Sequence, residues 1–430
     1  MISSLLIKPA GADCNMACSY CFYRRAAGLY PATPQPRMSP EVLRELVRQY
    51  MALSWAASEH VVGFSRSRPE AASGSGEPSH GPPAACGQAA FCWQGGEPTL
   101  MGLPFYRQVV ALQQKFGHPG QIVGNSLQTN GLLINDEWAR FLARYRFLIG
   151  LSLDGPPEVH DHYRLSLGGQ PTQRQVVRAW RVLQQSHVET NILCMATAHS
   201  ADRTGLIFEY LYELGARFMQ FIPCLEQHPR GERERSHGEP LPYTISPEAY
   251  GDFLCAAFDA WRPYRREVSV RLFDDIVSHL TGHEELVSCE FRPRCGDYLV
   301  VEHNGDLYTC DFFVDAAHAL GNLMAQPLAE VAAGADFAAF AAAKGEVSQG
   351  CEECEWLSFC QGGCQKHRLF AQRVETSCAR EDTRAHAASP HPTYLCEAYR
   401  RFFAHAVPAL REVVAEMTAT GDPENEAAAP

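Results

Sequence analysis

The sequence lacks the features that mark membrane, secreted and nucleic-acid-binding proteins. No stretch reaches the ~18 consecutive apolar residues of a transmembrane helix, and the apolar start SSLLIKPAGA is too short for the core of a signal peptide. Positive charge is also scarce, because 37 lysines and arginines stand against 49 aspartates and glutamates, for a net charge of −12. Such a balance disfavours non-specific binding to nucleic acid or to anionic membranes. We therefore expect a cytoplasmic protein with neither a nucleic acid nor a membrane as its partner.

The composition also lacks the bias of a disordered or fibrous chain, since 46% of the residues are hydrophobic and only 20% are charged. The 430 residues suffice for two to three domains of ~150 residues each. Cysteine is unusually frequent, with 17 residues. Thiols stay reduced in the cytoplasm, so clustered cysteines there are more typical of metal ligation than of disulfides.

Predicted strands and helices alternate through the first half of the sequence, which is the pattern of a parallel α/β barrel. The predicted strands are Ser3 to Lys8, Ala89 to Trp93, Gln121 to Gln128, Phe147 to Leu153, Thr190 to Ala196 and Phe218 to Ile222. The predicted helices are Pro40 to Leu53, Leu103 to Phe116, Asp136 to Arg144, Thr172 to Gln185 and Asp202 to Leu214. A complete eight-stranded barrel takes ~250 residues, so these six strands indicate a partial (β/α)6 barrel.

We divide the chain into four parts. Residues 1–243 form the predicted partial barrel, in which a Ser-, Gly- and Pro-rich stretch at residues 54–86 predicts a flexible insertion. Residues 244–288 are expected to be a connecting segment, and residues 289–400 a cysteine-rich domain. Residues 401–430 are expected to form a C-terminal helix and a disordered tail.

Three cysteines directly follow the first predicted strand. Cys14, Cys18 and Cys21 form a CxxxCxxC pattern on a loop at the carboxyl end of that strand. Three thiolates on a short loop can hold three irons of a [4Fe-4S] cluster and leave the fourth iron open to another ligand. A zinc site that lacks one ligand, or three unrelated thiols, remain the alternatives on spacing alone.

Eight more cysteines are clustered in the second half of the sequence. They are Cys289, Cys295, Cys310, Cys351, Cys354, Cys360, Cys364 and Cys396. Eight thiols suffice for two closed sites with four ligands each, and their spacing does not decide between zinc and iron-sulfur clusters.

The pattern CxxxCxYC, which Tyr20 completes here, resembles the signature of radical S-adenosylmethionine (SAM) enzymes. Other strand ends agree with that resemblance: GGEP at residues 95–98, QTNG at 128–131 and SLDG at 152–155 each end or follow a predicted strand. Barrel enzymes carry their active sites at this carboxyl edge. The resemblance implies that the open iron of the first cluster binds the amino and carboxylate groups of SAM.

The order of the C-terminal cysteines resembles the SPASM extension of radical SAM enzymes, which carries two auxiliary [4Fe-4S] clusters. The resemblance implies interleaved ligand sets, with Cys289, Cys295, Cys310 and Cys364 for one cluster and Cys351, Cys354, Cys360 and Cys396 for the other. Cys378 competes for the last position, but YLCEAYRRFF around Cys396 is similar to the closing motif of the family. Together with the first cluster, the resemblance implies three [4Fe-4S] clusters.

Sequence strings spread from residue 14 to residue 403 make the chain similar to anaerobic sulfatase-maturating enzymes. Among them are CNMACSYCFY, FCWQGGEPTL, IGLSLDGPPEVHDHYR and GDLYTCDFFV. This resemblance implies that the protein oxidises one Cys or Ser of a sulfatase to Cα-formylglycine through a 5'-deoxyadenosyl radical derived from SAM. The implied partners are an unfolded or nascent sulfatase polypeptide with a Cys/Ser-x-Pro/Ala-x-Arg segment, and a reductant such as flavodoxin or ferredoxin.

The same resemblance implies roles for single residues. Cofactor binding is implied for Tyr20, Gly96, Ser152, Arg164 and Leu225. Arg164 suits the carboxylate of SAM, since a guanidinium can bind a carboxylate through two hydrogen bonds. Asp311, which follows the cluster ligand Cys310, matches the proton acceptor of the family, and a carboxylate can serve as a general base. Tyr23 and Gln94 are candidates for contact with the substrate peptide.

Two other functions stay open. Other SPASM enzymes introduce thioether crosslinks or epimerise residues in ribosomal peptides, but they usually carry an N-terminal peptide-recognition domain, for which the stretch before Cys14 leaves no room. A zinc-bound scaffold protein would use the C-terminal cysteines structurally.

Overall fold

The computed structural model describes residues 2–33, 35–65, 87–228, 239–282, 286, 288–378 and 391–420. In this part of the chain, ten strands form one sheet in the order β10-β9-β8-β1-β2-β3-β4-β5-β6-β7. The strands are β1 (Ser4–Lys8), β2 (Gln88–Trp93), β3 (Ile122–Thr129), β4 (Leu148–Ser152), β5 (Thr190–Ala196), β6 (Phe218–Pro223), β7 (Ser269–Val270), β8 (Tyr298–Glu302), β9 (Asp306–Tyr308) and β10 (Ala319–Asn322). Strands β1 to β7 are parallel, and β8 pairs in parallel with the free edge of β1. The carboxyl ends of these eight strands therefore meet at one edge of the sheet.

Helices connect the parallel strands and build the C-terminal part. They are α1 (Pro40–Ser65), α2 (Gly102–Phe116), α3 (Asp136–Arg144), α4 (Pro157–Tyr163), α5 (Gln173–Gln185), α6 (Thr204–Glu213), α7 (Pro247–Trp261), α8 (Arg271–Leu280), α9 (Leu328–Ala332), α10 (Ala335–Ala343), α11 (Gln349–Glu352), α12 (Leu357–Cys360), α13 (Gln365–Cys378) and α14 (Cys396–Thr420). Short 3-10 helices lie at Phe22–Leu29, Pro98–Met101, Arg262–Tyr264 and Cys289–Phe291. Among the described residues, no helix combines the length and the apolar character that crossing a membrane would require.

The core lies between the sheet and the helices that follow its strands, and α1 shows how the sequence builds it. Leu43, Leu46, Val47 and Tyr50 recur at helical spacing, and all four are buried. The ring of Tyr50 meets Phe91 of β2 edge to face, with 5.0 Å between the ring centroids. The apolar face of α1 therefore both favours the helix and places it against the sheet.

The six strands and five helices predicted in the first half are confirmed, with one large difference in a boundary. Helix α1 continues to Ser65, whereas we predicted its end at Leu53. Residues 54–65 of the predicted insertion are therefore helical, and residues 66–86 lie outside the described residues. The sequence between residues 55 and 62 contains neither Gly nor Pro, so nothing in it stops the helix.

The sheet is wider than the six strands that we predicted. Strand β7 adds to the edge of β6, and β8, from the cysteine-rich part, pairs with β1 along residues 4–8. A two-residue strand and a strand that pairs with a distant part of the sequence carry no distinctive local pattern, so sequence periodicity missed both. Because of the pairing of β8 with β1, the cysteine-rich part and the barrel share one sheet.

Helix α14 packs against the helices that follow β6 and β7. Its buried residues include Phe402 and Leu410, and the ring of Phe402 lies 5.6 Å from that of Phe273 in α8. Phe402 also meets Phe258 of α7 edge to face at 6.3 Å. This packing fixes the start of α14, and with it the position of Cys396.

Candidate active site

Four predicted motifs lie together at the carboxyl edge of the sheet. The CxxxCxxC loop follows β1, the GGEP loop follows β2, QTNG ends β3 and SLDG ends β4. Since these strands are neighbours in a parallel sheet, their carboxyl ends are adjacent. The fold therefore brings together residues that are more than a hundred positions apart in the sequence.

Backbone contacts hold the GGEP loop directly against the cysteine loop. The amide of Gly96 donates to the carbonyl oxygen of Gly11 at 2.8 Å, and the amide of Glu97 donates to that of Asp13 at 2.8 Å. A Cβ atom on Gly96 would lie 2.0 Å from the carbonyl oxygen of Asp13, well inside contact distance. Only glycine therefore fits at position 96 without moving the backbone.

The side chain of Glu97 ties these loops to the end of β3. Its carboxylate accepts hydrogen bonds from the amide of Thr99 at 2.9 Å, from Oγ1 of Thr129 at 2.8 Å and from the amide of Asn130 at 2.8 Å. Burial raises the pKa of Glu97, although these hydrogen bonds act in the opposite direction. We did not single out this residue from the sequence, where the GGEP motif was the available signal. These contacts hold the GGEP loop against the end of β3.

The three thiols of Cys14, Cys18 and Cys21 lie close enough to interact electrostatically. Nδ2 of Asn130 donates to Oδ1 of Asn15 at 2.7 Å and lies 3.7 Å from Sγ of Cys14, so the end of β3 also supports this loop. Burial raises the pKa of Cys14 to about 12 and that of Cys18 to about 11. Thiolates at these positions therefore need a compensating positive charge, which iron would supply on ligation.

Asp154 of the SLDG motif joins Tyr20 and Arg164 beside the cysteine loop. Oδ2 of Asp154 accepts hydrogen bonds from the hydroxyl of Tyr20 at 2.6 Å and from Nε of Arg164 at 2.8 Å. Burial raises the pKa of Asp154, but the neighbouring charges of Arg164 and His160 and the hydrogen bonds outweigh it and hold that pKa below its usual value. The charge of Arg164 also lowers the pKa of Cys18 against the larger effect of burial, so the guanidinium stands next to the cluster loop.

From the sequence we assigned Tyr20 and Arg164 to the cofactor but gave no role to Asp154, the residue that connects them. The signal was present, because a carboxylate in SLDG stands at the carboxyl end of a predicted strand. The three side chains are buried, and the guanidinium lies over the ring of Tyr20 with 5.3 Å to its centroid. Asp154 thus fixes the orientation of both residues.

The other predicted contacts lie at the same edge. Ser152 is the last residue of β4, Leu225 comes shortly after β6, and both are buried. Gln94 follows β2 directly, and its backbone N–H donates to the carbonyl oxygen of Ile7 at 2.9 Å. All three residues therefore lie at the carboxyl edge of the sheet, and their contacts with a ligand stay predictions.

Asp311 reaches this edge through the C-terminal part of the sheet. Its carboxylate forms an ion pair with the ammonium of Lys8, the last residue of β1, whose side chain is buried. The ammonium also stands over the ring of Tyr23, 4.2 Å from its centroid, and the hydroxyl of Tyr23 donates to the buried carboxylate of Glu302. Tyr23 is itself buried, and its contact with the substrate peptide stays a prediction. Its observed contact is with the ammonium that holds Asp311.

The first auxiliary set of cysteines consists of Cys289, Cys295, Cys310 and Cys364, whose thiols interact electrostatically in one group. The hydroxyl of Tyr298 lies 3.2 Å from Sγ of Cys310. Because Cys310 directly precedes Asp311 in the sequence, this set is covalently linked to the predicted proton acceptor.

The second auxiliary set consists of Cys351, Cys354, Cys360 and Cys396, which line one cavity at the start of α14. The aromatic rings of Trp356, Tyr399 and Phe403 and the side chain of Arg400 also line this cavity. The rival cysteine, Cys378, ends α13, and its side chain lies outside the described part of the structure. The cysteines that line this cavity are the four that the family resemblance implied for one cluster, and their role as cluster ligands stays a prediction.

Among the described residues, no three or more His, Cys, Asp or Glu side chains are arranged to hold a single metal ion. The donor sets themselves fit iron-sulfur clusters, since one loop offers three thiols and two further groups offer four each. Three thiols leave an iron open, and four close a cluster.

Comparison with known proteins agrees with this division of the chain. The profile of the Radical SAM superfamily matches residues 9–199, and that of an iron-sulfur cluster-binding domain, SPASM, matches residues 289–355. The second match supports iron-sulfur clusters in the C-terminal part and argues against the zinc alternative.

Two curated relatives resemble the chain over most of its length. The serine-type anaerobic sulfatase-maturating enzyme of Bacteroides thetaiotaomicron is 30% identical over 94% of this chain and 89% of its own. The cysteine-type enzyme of Clostridium perfringens is 32% identical over 95% of this chain and 98% of its own.

A solved structure, native anSMEcpe with bound AdoMet and Cp18Cys peptide, superposes with a TM-score of 0.77 and 31% identity. The superposition covers 96% of this chain and 99% of anSMEcpe. A more distant structure, Streptococcus suis SuiB bound to S-adenosylmethionine, has 14% identity and a TM-score of 0.51, and shares the fold.

Proposed function

The chain belongs to the family of anaerobic sulfatase-maturating enzymes, which are radical SAM proteins with a SPASM domain, and from that membership we propose the reaction that it catalyses. The protein converts one Cys or Ser in a sulfatase polypeptide to Cα-formylglycine. The observation that carries this proposal is the similarity of nearly the whole chain to curated enzymes of both the serine and the cysteine type. The position of Asp311 supports it, since this residue lies at the same sheet edge as the first cysteine loop.

The cofactors are SAM and three [4Fe-4S] clusters. When bound, SAM and the first cluster would supply a 5'-deoxyadenosyl radical able to abstract a hydrogen atom from Cβ of the target residue, and the auxiliary clusters would accept an electron. We assign the open cluster to Cys14, Cys18 and Cys21. The two four-cysteine sets described above hold the auxiliary clusters.

Residues around the first cluster bind and orient SAM. The backbone of the GGEP loop at Gly96 would bind the amino group, as the family resemblance implies, and the absence of a Cβ there lets this loop pack against the cysteine loop. Arg164 binds the carboxylate of SAM. Its Nε donates to Asp154, whereas its terminal amino groups donate to no group among the described residues and can therefore bind a carboxylate. Tyr20, Ser152 and Leu225 form the remaining wall.

Asp311 accepts the proton that leaves the thiol or hydroxyl of the target residue. The oxidation removes one hydrogen atom from Cβ, one proton from the heteroatom and one electron. A serine then becomes the aldehyde directly, whereas a cysteine becomes a thioaldehyde, which water converts to the aldehyde with release of sulfide. Lys8 holds the carboxylate in place and compensates its charge through the ion pair.

The client is an unfolded or nascent sulfatase with a Cys/Ser-x-Pro/Ala-x-Arg segment, because the target side chain must reach the sheet edge. A reductant such as flavodoxin or ferredoxin and a cytoplasmic location remain predictions from the sequence.

The function is tested with the enzyme reconstituted anaerobically and supplied with reductant and SAM. Peptides containing Cys-x-Pro-x-Arg or Ser-x-Pro-x-Arg are added, and the aldehyde product is measured by mass spectrometry alongside 5'-deoxyadenosine. A matched peptide with Ala at the target position serves as the control and should remain unoxidised. Formation of 5'-deoxyadenosine without oxidation of either peptide would refute sulfatase maturation while leaving the radical chemistry intact.

A further inference from the structure

Arg368 is a buried arginine in α13 whose side chain is bound entirely by main-chain oxygens. Nε donates to the carbonyl oxygen of Gly362 at 2.8 Å, and Nη2 donates to that of Gln361 at 2.9 Å. Nη1 donates to the carbonyl oxygens of Lys344 at 2.9 Å and Glu346 at 2.8 Å. These acceptors are neutral, so they satisfy the donors of the guanidinium but do not balance its charge.

A permanently charged group that is buried without a counter-charge is costly. Within the described ranges, no carboxylate lies at ion-pair distance from Arg368. The groups that interact with it electrostatically are the cysteines Cys351, Cys364, Cys295 and Cys360, which would be negatively charged as cluster ligands. The geometry places the guanidinium between the two sets, because its partners Gln361 and Gly362 lie in the short segment between Cys360 of the second set and Cys364 of the first.

We propose that Arg368 is a counter-charge shared by the two auxiliary clusters, and that it raises the reduction potential of both. A cluster bound by four thiolates is an anion, and accepting an electron makes it more negative. A fixed positive charge nearby therefore stabilises the reduced state more than the oxidised state. Arg368 thereby makes each auxiliary cluster a better acceptor for the electron that leaves the substrate.

The surroundings of Arg368 suit an electrostatic role. The guanidinium is shielded from solvent, with the residue only 6% exposed, so its field is weakly screened. The position of the guanidinium is also fixed, because its four main-chain partners belong to two separate segments, residues 344–346 and residues 361–362. A second buried cation, Lys344, donates to the carbonyl oxygen of the ligand Cys289 at 2.5 Å.

The test measures reduction potentials and requires no turnover. Cys14, Cys18 and Cys21 are replaced by alanine so that only the auxiliary clusters assemble, and redox titration is followed by electron paramagnetic resonance. In this background we compare Arg368→Gln, which removes the charge, with Arg368→Lys, which keeps it. Arg373→Gln, at an exposed position of the same helix, is the matched control.

We expect Arg368→Gln to shift the potentials of both auxiliary clusters to lower values, and Arg368→Lys and Arg373→Gln to stay near the parent. Unchanged potentials in Arg368→Gln, with both clusters assembled, would overturn the proposal. If the iron content shows that Arg368→Gln has lost a cluster, the Arg368→Lys variant decides. Parent-like reduction potentials in Arg368→Lys support a charge effect. Loss of the same cluster in Arg368→Lys shows a structural role and overturns the proposal. No SAM or peptide is present, so the outcome is independent of the proposed sulfatase activity.

Discussion

Replacing Gly96 by alanine tests the packing of the GGEP loop against the cysteine loop. The added Cβ would stand 2.0 Å from the carbonyl oxygen of Asp13 and 2.7 Å from the carbonyl carbon of Ala12. Both atoms belong to the backbone of the loop that leads into Cys14. The collision therefore cannot be relieved by rotating a side chain.

The size of the effect follows from these distances. Cβ atoms essentially never come closer than 3.0 Å to another heavy atom, so the two loops must separate by about 1 Å. That movement breaks the hydrogen bond from the amide of Gly96 to the carbonyl oxygen of Gly11, now 2.8 Å long. A misplacement of about 1 Å can cost ~100-fold in rate, and we expect a loss of that order in the cleavage of SAM.

The assay measures 5'-deoxyadenosine formed by reconstituted Gly96→Ala, together with the iron content. Gly124→Ala is the matched control, because a Cβ at Gly124 in β3 meets nothing within 4 Å. The control should cleave SAM at the parent rate. In both variants the auxiliary clusters should assemble, since their cysteines lie in the C-terminal part of the chain. SAM cleavage by Gly96→Ala at the parent rate would refute the assignment of this loop to the cofactor.

Three further predictions concern Asp311, Asp154 and His160. Asp311→Asn should keep all three clusters and still form 5'-deoxyadenosine but lose ~100-fold or more in aldehyde formation, because it removes the proton acceptor; unchanged turnover would exclude that role. Asp154→Asn should weaken SAM binding by ~10-fold, measured by equilibrium dialysis, because Arg164 loses a charge-assisted hydrogen bond; parent-like affinity would contradict the arrangement. Burial lowers the pKa of His160 from 6.5 to about 4, so its contribution to stability is complete above pH 6.5 and is lost as the pH falls towards 4. This contribution to the free energy of unfolding is about 3 kcal/mol at most. His160→Gln should therefore reduce the difference in unfolding free energy between about pH 7 and about pH 5. An equal difference in the parent and the variant would count against this effect of His160.

Much of the barrel follows from local sequence. Strands β1 to β6 and the helices between them are marked by apolar periodicity and by glycine-containing turns, which act over a few residues. The CxxxCxxC loop could be placed after β1 for the same reason. Because parallel strands align their carboxyl ends, the sequence alone was enough to expect the motifs GGEP, QTNG and SLDG beside that loop.

Other features depend on contacts between distant residues. The pairing of β8 with β1 brings Asp311 to Lys8, although 303 positions separate them in the sequence. The grouping of cysteines likewise depends on the fold, because their spacing allows several ways of forming two sets of four. The packing of α14 on α7 and α8 fixes Cys396 in the second auxiliary set, which spacing alone does not determine.

The sequence by itself therefore determined the order of barrel elements, the cysteine-rich composition and the family to which the motifs point. Only the tertiary structure decided that Asp154 orients Tyr20 and Arg164, that Tyr23 is buried beneath Lys8, and that Arg368 lies between the auxiliary cysteines. The physical reason is the range of the interactions. Strand and helix patterns reflect local periodicity, whereas a buried charge is recognised only when the fold shows which groups surround it.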